Sequence, residues 1–330
     1  MGCMIHLRSI VPDGRTGEVV AGLTENPGVT NLVVLPGAAK DPVGDLVLCD
    51  VAREAADGVI EDLKRFGLDA HGSISMDHVE LTISERAEEA QRRAPGHGDD
   101  AVIWERLGRD LLESTRLTWT FLAFLILATQ LVGIAALLDS AILIVGAMVL
   151  GPEFAPIAAI SYGLLFRRWA MIGRAARTLL IGFTVAIAVT FVCTWAGELM
   201  GIVDVAELPA ERPQTGFVYT PDRWSFIVAV LAGAAGVLSL ASDKSSALVG
   251  VFISVTTVPA AGNLAVALAL GHFSEVRGSI LQLLINVLGM IVAGVATLLV
   301  QWCGTRLLLK RSERGPDVAL TGDDSGLRDF

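Results

Sequence analysis

The stretch VGAMVLGPEFAPIAAISYGLL, residues 145–165, is apolar enough to lie in a bilayer, yet its centre reads Gly151-Pro152-Glu153-Phe154-Ala155-Pro156. Two prolines, a glycine and a carboxylate stand where a membrane helix is ordinarily most regular. Pro152 and Pro156 lack N–H groups and clash with the preceding turn, so no continuous helix can run through them. Freed backbone groups in lipid cost several kcal/mol each, so such a break is tolerated only inside protein or beside a water-filled cavity. The break follows Asp139 by about 12 residues, roughly 18 Å at the helical rise, which is close to mid-membrane. A helix ending there presents carbonyls, which favour cations. A helix beginning there presents N–H groups, which favour anions.

The rest of the chain fits a membrane protein. It has 330 residues, 53% of them hydrophobic, and a mean hydropathy of +0.60. The charge is uneven. Residues 1–115 carry 11 Lys+Arg against 21 Asp+Glu, the whole net charge of −10, while the remainder balances at 14 against 14. An acidic water-soluble front part therefore precedes a neutral membrane part, and nucleic-acid binding, which needs a basic surface, is not expected. Cys3, Cys49, Cys193 and Cys303 are too scattered for a zinc site or a disulfide framework. No cofactor or metal is expected. No apolar run occurs before residue 117, so no secretory signal peptide is expected.

In residues 1–86, strand-like runs (MIHLRSIVP, VTNLVVLP, GDLVLCDVA, GSISMDHVELTIS) alternate with two helical patterns. The first places Val19, Val20 and Leu23 on one face. The second places Ala55, Val59, Ile60, Leu63 and Phe66 together, with Gly67 at its C-terminus. The order β-α-β-β-α-β predicts a soluble, cytoplasmic ferredoxin-like α+β domain. Such a domain serves as an oligomerisation module or as a small-ligand sensor. Residues 87–116 read as a charged linker followed by an amphipathic interfacial helix carrying Trp104, Leu107, Leu111 and Leu112. The tail 305–330 is expected to be disordered.

Between 117 and 304, apolar runs long enough to cross the hydrocarbon fall at about 117–138, 140–166, 178–200, 225–241, 245–271 and 279–303. Six spans leave both termini on one side. Arg167, Arg168, Arg174 and Arg177, with Arg306, Lys310, Arg311 and Arg314, place that side in the cytoplasm. The loop 201–224, with two arginines beside four acids, then lies outside. Shifted by 104 residues, Asp139 falls on Asp243, Val145 on Val249 and Gly146 on Gly250, and the break falls near Thr256, Thr257 and Pro259, with Asn263 beyond. Each half reads as a plain span, an interrupted span and a plain span. Three spans per half insert in opposite senses, which makes a 3+3 inverted repeat. Paired interrupted helices are the usual sequence pointer to a transporter site.

The pattern GAM-x-x-x-P-x-x-x-P, here Gly146-Ala147-Met148 with Pro152 and Pro156, together with the α/β front domain, resembles the bacterial and archaeal membrane proteins grouped as domain of unknown function 389, over residues 3–305. The resemblance implies a bacterial or archaeal cytoplasmic-membrane protein and no particular activity. It also implies small or apolar residues between the prolines, a pattern from which Glu153 departs.

The candidate site thus comprises Gly151, Pro152, Glu153, Pro156, Thr256, Thr257, Pro259 and Asn263, with Gln130, Gln282 and Asn286 as secondary candidates. Glu153 is the ionisable residue well inside a span. It would carry a proton or bind a cation, or else simply cap the helix after it. Thr256, Thr257 and Asn263 would offer oxygens to a solute or cap broken helices. Gln130, Gln282 and Asn286 suit interhelical hydrogen bonding equally well. Asp139 and Asp243 read as N-caps. No HExxH, GxSxG, P-loop or GxGxxG stands in context, so an enzyme is not expected. The expected function is a secondary transporter or channel-like carrier for a small polar solute or ion. The alternative is a non-transporting scaffold or signalling protein with a ligand-sensing front domain. Membrane lipid and a second copy of the chain are the expected partners.

Overall fold

The computed structural model describes residues 4–79, 82–94, 102–203, 212–242 and 256–312. The chain divides into two compact units. One runs to Glu105 and includes the C-terminal end from Gln301; the other is Arg106–Val300.

The first unit follows the expected element order: β1 (Met4–Val11), α1 (Thr16–Glu25), β2 (Val29–Lys40), β3 (Val43–Ala52), α2 (Arg53–Arg65), a single turn α3 (Leu68–His71) and β4 (Ser73–Val79). The strands lie in the order β2-β3-β1-β4, every neighbour antiparallel, with Leu7 opposite both Cys49 and Met76. Alternation along β1 and β3 turns Ile5, Leu7, Val11, Val47, Cys49 and Val51 toward the helices. Val19 and Leu23 of α1 and Val59, Ile60 and Leu63 of α2 close the core over them. Each such side chain contributes about 1.5–3 kcal/mol on burial. Val20, Ala55 and Phe66, assigned to the buried faces from the sequence, are only half-buried, and Ala56 takes the central place. Gly67 adopts φ 72 beyond α2, the left-handed conformation expected of a helix stop. Burial pushes the Cys49 thiol up to about 12, so it packs as an inert apolar group.

The linker is more ordered than expected at its start. Glu85–Arg93 forms α4, whose first turn is capped by the Ser84 hydroxyl accepting from the Ala87 N–H at 3.4 Å. The amphipathic helix α5 spans Trp104–Ser114, with Trp104, Leu107 and Leu111 buried and Arg109 exposed. Residues 305–312, assigned to a disordered tail, continue the last helix, because LLLKRS lacks any helix breaker before Gly315.

The second unit is helical. It contains α6 (Trp119–Leu137), α7 (Ala141–Leu150), α8 (Phe154–Leu165), α9 (Trp169–Leu199), α10 (Arg223–Ala241), α11 (Thr257–Ala269) and most of α12 (Phe273–Ser312). Four of these, α6, α9, α10 and α12, are long and apolar enough to cross a membrane. The pair α7 and α8, bent by 55° at residues 151–153, makes a fifth if counted as one span. α11 is apolar but short. The third and sixth runs begin nine and six residues earlier than read from hydropathy, at Trp169 and Phe273. Arg174 and Arg177 of the first and the polar turn of the second are carried on helix rather than loop, while Arg167 and Arg168 stay in the turn before α9. Residues 243–255, including Asp243 and the start of the expected fifth span, lie outside the described residues.

Small residues bring the helices together. A Cβ on Gly262 of α11 would stand 2.5 Å from Val132 of α6, and one on Gly133 of α6 would stand 3.3 Å from Val266 of α11. On α10, a Cβ at Gly236 would enter the Phe154 ring of α8, and one at Gly233 would stand 2.7 Å from Met290 of α12. The Ser161 hydroxyl of α8 reaches the Ile291 carbonyl of α12 at 3.3 Å. So α8 packs on α10 and α12, while α11 packs on α6 and α9.

The boundaries recur at one interval. α6 and α10 both have 19 residues and begin at 119 and 223, 104 apart. α8 ends at Leu165 and α11 at Ala269, and α9 and α12 begin at Trp169 and Phe273, again 104 apart. The turns between them agree bond for bond. The Arg168 N–H donates to Gly163 O and the His272 N–H to Ala267 O, both at 2.8 Å. The Trp169 N–H donates to Arg167 O and the Phe273 N–H to Gly271 O, both at 3.1 Å. Arg167 and Gly271 hold the same left-handed place, at φ 54 and 76.

Candidate functional site: the break after α7

Gly151 ends α7 with extended backbone, its N–H donating to the Met148 carbonyl at 3.3 Å. Pro152 then turns the chain, and α8 begins at Phe154, directly after Glu153. Pro156 is the third residue of α8 and Pro259 the third of α11. Both fall in first turns, where the missing N–H would have had no intrahelical partner. The prolines therefore start helices here rather than kink them.

Glu153 occupies the N-cap position but does not cap: its side chain accepts no hydrogen bond from the first turn of α8. The residue is 7% exposed, and Oε2 has no hydrogen-bond partner among the described residues. The carboxylate folds back over Gly151, in the place a Cβ there would fill. Val258, in the first turn of α11, flanks the same point, its Cγ2 2.7 Å from that Cβ position. The break after α7 thus meets the beginning of α11.

On the other side of that turn, Thr256 stands at the N-cap of α11. Its hydroxyl oxygen accepts from Gln282 Nε2 at 2.8 Å and Asn286 Nδ2 at 2.7 Å, both on α12. The Thr257 hydroxyl and Gln282 Oε1 are buried without a hydrogen-bond partner among the described residues. Among the described residues, three buried oxygens without a partner, from a carboxylate, a hydroxyl and an amide, thus lie on Glu153, Thr257 and Gln282. Each such buried unpaired group costs about 1–3 kcal/mol, and native structures hold few of them.

Two candidates lie elsewhere. Gln130 on α6 is half-buried and takes no part in these bonds. Asn263 is six residues beyond Thr257, about 9 Å along α11. Its Oδ1 accepts from Arg212 Nη1 at 2.8 Å and its Nδ2 donates to the Ser279 hydroxyl at 2.9 Å. Arg212 also pairs with Glu275 and lies 4.4 Å over the Tyr219 ring. Asp139 proves not to be a cap. Ser140 caps α7, accepting from the Leu143 N–H at 3.4 Å. Asp139 instead accepts from the Thr215 N–H at 2.9 Å and the Thr215 hydroxyl at 2.8 Å. Asp139, between α6 and α7, and Asn263, midway along α11, together hold residues 212–219 against these helices. The sequence reading missed this network. Arg212 stood only as a loop charge, and Glu275 fell just before the run begun at 279. The available signal was a carboxylate so close to an apolar helix.

Four long apolar helices, with the pair α7 and α8 bent at a buried polar break, have the length and composition of membrane spans, and a membrane protein is the class they fit. Within that class, the family described as Domain of unknown function (DUF389) matches residues 148–292, a region containing the break, α11 and the Gln282 and Asn286 side chains, so the resemblance read from the sequence is borne out. An uncharacterized protein of Methanocaldococcus jannaschii is 24% identical over 238 residues, 72% of this chain and 70% of its own length. No solved structure matches.

Proposed function

We propose that the chain is a non-enzymatic secondary transporter or channel-like carrier for a small polar solute or ion, built as an inverted repeat, with its site where the break after α7 meets the start of α11. The observation that carries this reading is the trio of orphaned oxygens on Glu153, Thr257 and Gln282. A purely architectural break would pair its polar atoms internally, because nothing in lipid compensates them. Unpaired acceptors beside a broken helix suit a ligand that supplies the missing partners.

The repeat is supported by the common interval of 104 residues and by the crossed packing. α8, the second half of one interrupted span, lies on α10 and α12, and α11 lies on α6 and α9. Residues 257–269 then complete a sixth crossing. Asp139 and the loop 212–219 share one end of the bundle, as an outer loop joined to the outer end of α6 requires. Both termini lie in the cytoplasm of a bacterium or archaeon, and the glycine-lined faces favour assembly with a second copy.

The test is reconstitution of the full chain into liposomes and solid-supported-membrane recording under gradients of protons, alkali cations, amino acids and small organic acids. At least one gradient moves charge or labelled solute well above protein-free liposomes, and Glu153→Gln cuts the rate or its pH dependence sharply. Absence of flux for every gradient, with the protein shown monodisperse and inserted, would rule out the reading.

A further inference from the structure

We infer that the exposed arginines where α5, α6 and α9 meet, Arg116, Arg174 and Arg177, with the turn Arg167-Arg168 leading into α9, form a docking surface for the headgroups of anionic phospholipids.

Two helix lengths set the depth of these residues. α6 has 19 residues, about 28 Å, which covers the hydrocarbon and no more. α9 has 31 residues, roughly 46 Å, about ten residues more than a crossing needs. Counted back by about 20 residues from Leu199, the hydrocarbon edge falls near Leu180. The first turns of α9 then stand at headgroup depth. The start of α6 lies at the same level. The Thr178 hydroxyl of α9 donates to the Thr115 carbonyl at 2.7 Å, and a Cβ on Gly182 would stand 2.7 Å from the Phe121 ring. Arg116 follows Thr115, and Arg174 and Arg177 precede Thr178 by one turn and by one residue. All three side chains are exposed, as are Arg167 and Arg168. Arg174 and Arg177 share one face of α9 with Leu180, which is 70% exposed, and Trp119, 79% exposed, marks the hydrocarbon edge on α6. The cations therefore stand directly above apolar faces that turn to lipid.

The fold does not require these charges. The turn 104 residues further on has the same hydrogen bonds but reads Gly271-His272 where the first reads Arg167-Arg168. Thr220, Gly278 and Leu281 stand at the places of Arg116, Arg174 and Arg177. Arg167 holds φ 54, a left-handed place that glycine takes without strain and that Gly271 fills at φ 76. At the second end, Arg212, Arg223 and Arg277 stand among Asp139, Asp222 and Glu275. At the first end, Glu113 lies a turn before Arg116, and Asp110 pairs with Arg106 at 3.6 Å, so the excess stays positive. A basic cluster at the mouth of a membrane span attracts anionic headgroups. An acidic protein would match the charge but not the apolar faces below it.

The experiment uses the full chain with a single tryptophan, at 119 or at 224, the others replaced by Phe. Each is reconstituted into phosphatidylcholine bilayers containing brominated phosphatidylglycerol, whose quenching of the ring gives the affinity of the anionic lipid relative to the zwitterionic one. A preference of roughly threefold or more is expected at Trp119 and none at Trp224, with the preference shrinking in about 0.5 M NaCl. Arg116→Gln/Arg174→Gln/Arg177→Gln should bring the Trp119 value close to parity. The corresponding triple Lys variant keeps the charge and should retain most of the preference, which separates charge from fold. Equal values at Trp119 and Trp224 overturn the inference and leave the arginines as determinants of insertion alone. So does a preference that survives the triple Gln variant, or one lost as fully with Lys as with Gln. Should the Gln protein fail to fold, the Trp119, Trp224 and Lys measurements still decide.

Discussion

Arg212 and Glu275 form an ion pair inside the helical unit, with the arginine side chain 0% exposed and the glutamate 12%. The arginine reaches it from the segment before α10, and its guanidinium also donates to Asn263 and covers the Tyr219 ring. The pair thus fastens the 212–219 segment to α11 and α12.

Removing one partner strands a buried charge, which costs about 3–5 kcal/mol, whereas replacing both with apolar groups is often neutral. Arg212→Met alone and Glu275→Gln alone should therefore each lower the melting temperature by roughly 6–20 °C, at about 2–4 °C per kcal/mol for a unit of this size. The double variant Arg212→Met/Glu275→Leu should recover most of that loss. Thermal scanning in detergent reads all three. Additive losses in the double variant would show that the two charges are not coupled.

Orientation can be read at the same loop. Thr215 is buried against Asp139, so a cysteine there would be shielded from either side, but its neighbour Gln214 is exposed. In a background with the native cysteines replaced, Gln214→Cys should react with a membrane-impermeant maleimide on whole cells, and Ser325→Cys only after lysis. The opposite pattern would invert the topology.

In the first unit, Asp57 of α2 is half-buried, and burial raises its carboxyl to about 6, against the lowering effect of the Trp104 and Glu105 N–H groups it accepts from. A folded value above the unfolded one means that the native state prefers the protonated acid. Its contribution is therefore full below about pH 4 and is lost as pH rises through 6. Asp57→Asn keeps an acceptor and removes the charge. It should stabilise the first unit at pH 7.5 by about 1 kcal/mol, discounted for partial exposure, and flatten the pH dependence between 4 and 7. Hydrogen exchange over residues 53–65, corrected for intrinsic rates, measures it; an unchanged pH profile would remove Asp57 from the account.

Periodicity made much of this architecture legible. The stripe of α2 put Val59, Ile60 and Leu63 on the inward face, where they are buried, while the strands were legible only as apolar runs. The break at Gly151–Pro156 was legible because proline chemistry is local. The ends of α9 and α12 were not. Hydropathy locates lipid, not helix, and both helices continue through arginine- and glutamate-bearing turns at Arg174 and Glu275. Within the site, Glu153, Thr256, Thr257, Gln282 and Asn286 come together around one turn. Asn263 parted from them because its distance along α11 exceeds the reach of its side chain. Arg212 was invisible because pairing across 63 residues leaves no local pattern.

The seat of the break is Phe154, whose ring occupies the space left by the missing side chain of Gly236 on α10. A methyl group there would overlap three ring atoms, so Gly236→Ala must displace the ring, the residue that follows Glu153. Overpacking of this kind costs about 1–3 kcal/mol. Phe154→Leu alone should also destabilise, by loss of contact with α10. Combined, the smaller side chain relieves the overlap, so the two losses should not add. A double-mutant cycle should give a coupling of about 1–3 kcal/mol, the range for residues in direct contact. Thermal scans on the four proteins of the cycle give the coupling. Independent losses in stability would mean that Phe154 does not rest on Gly236.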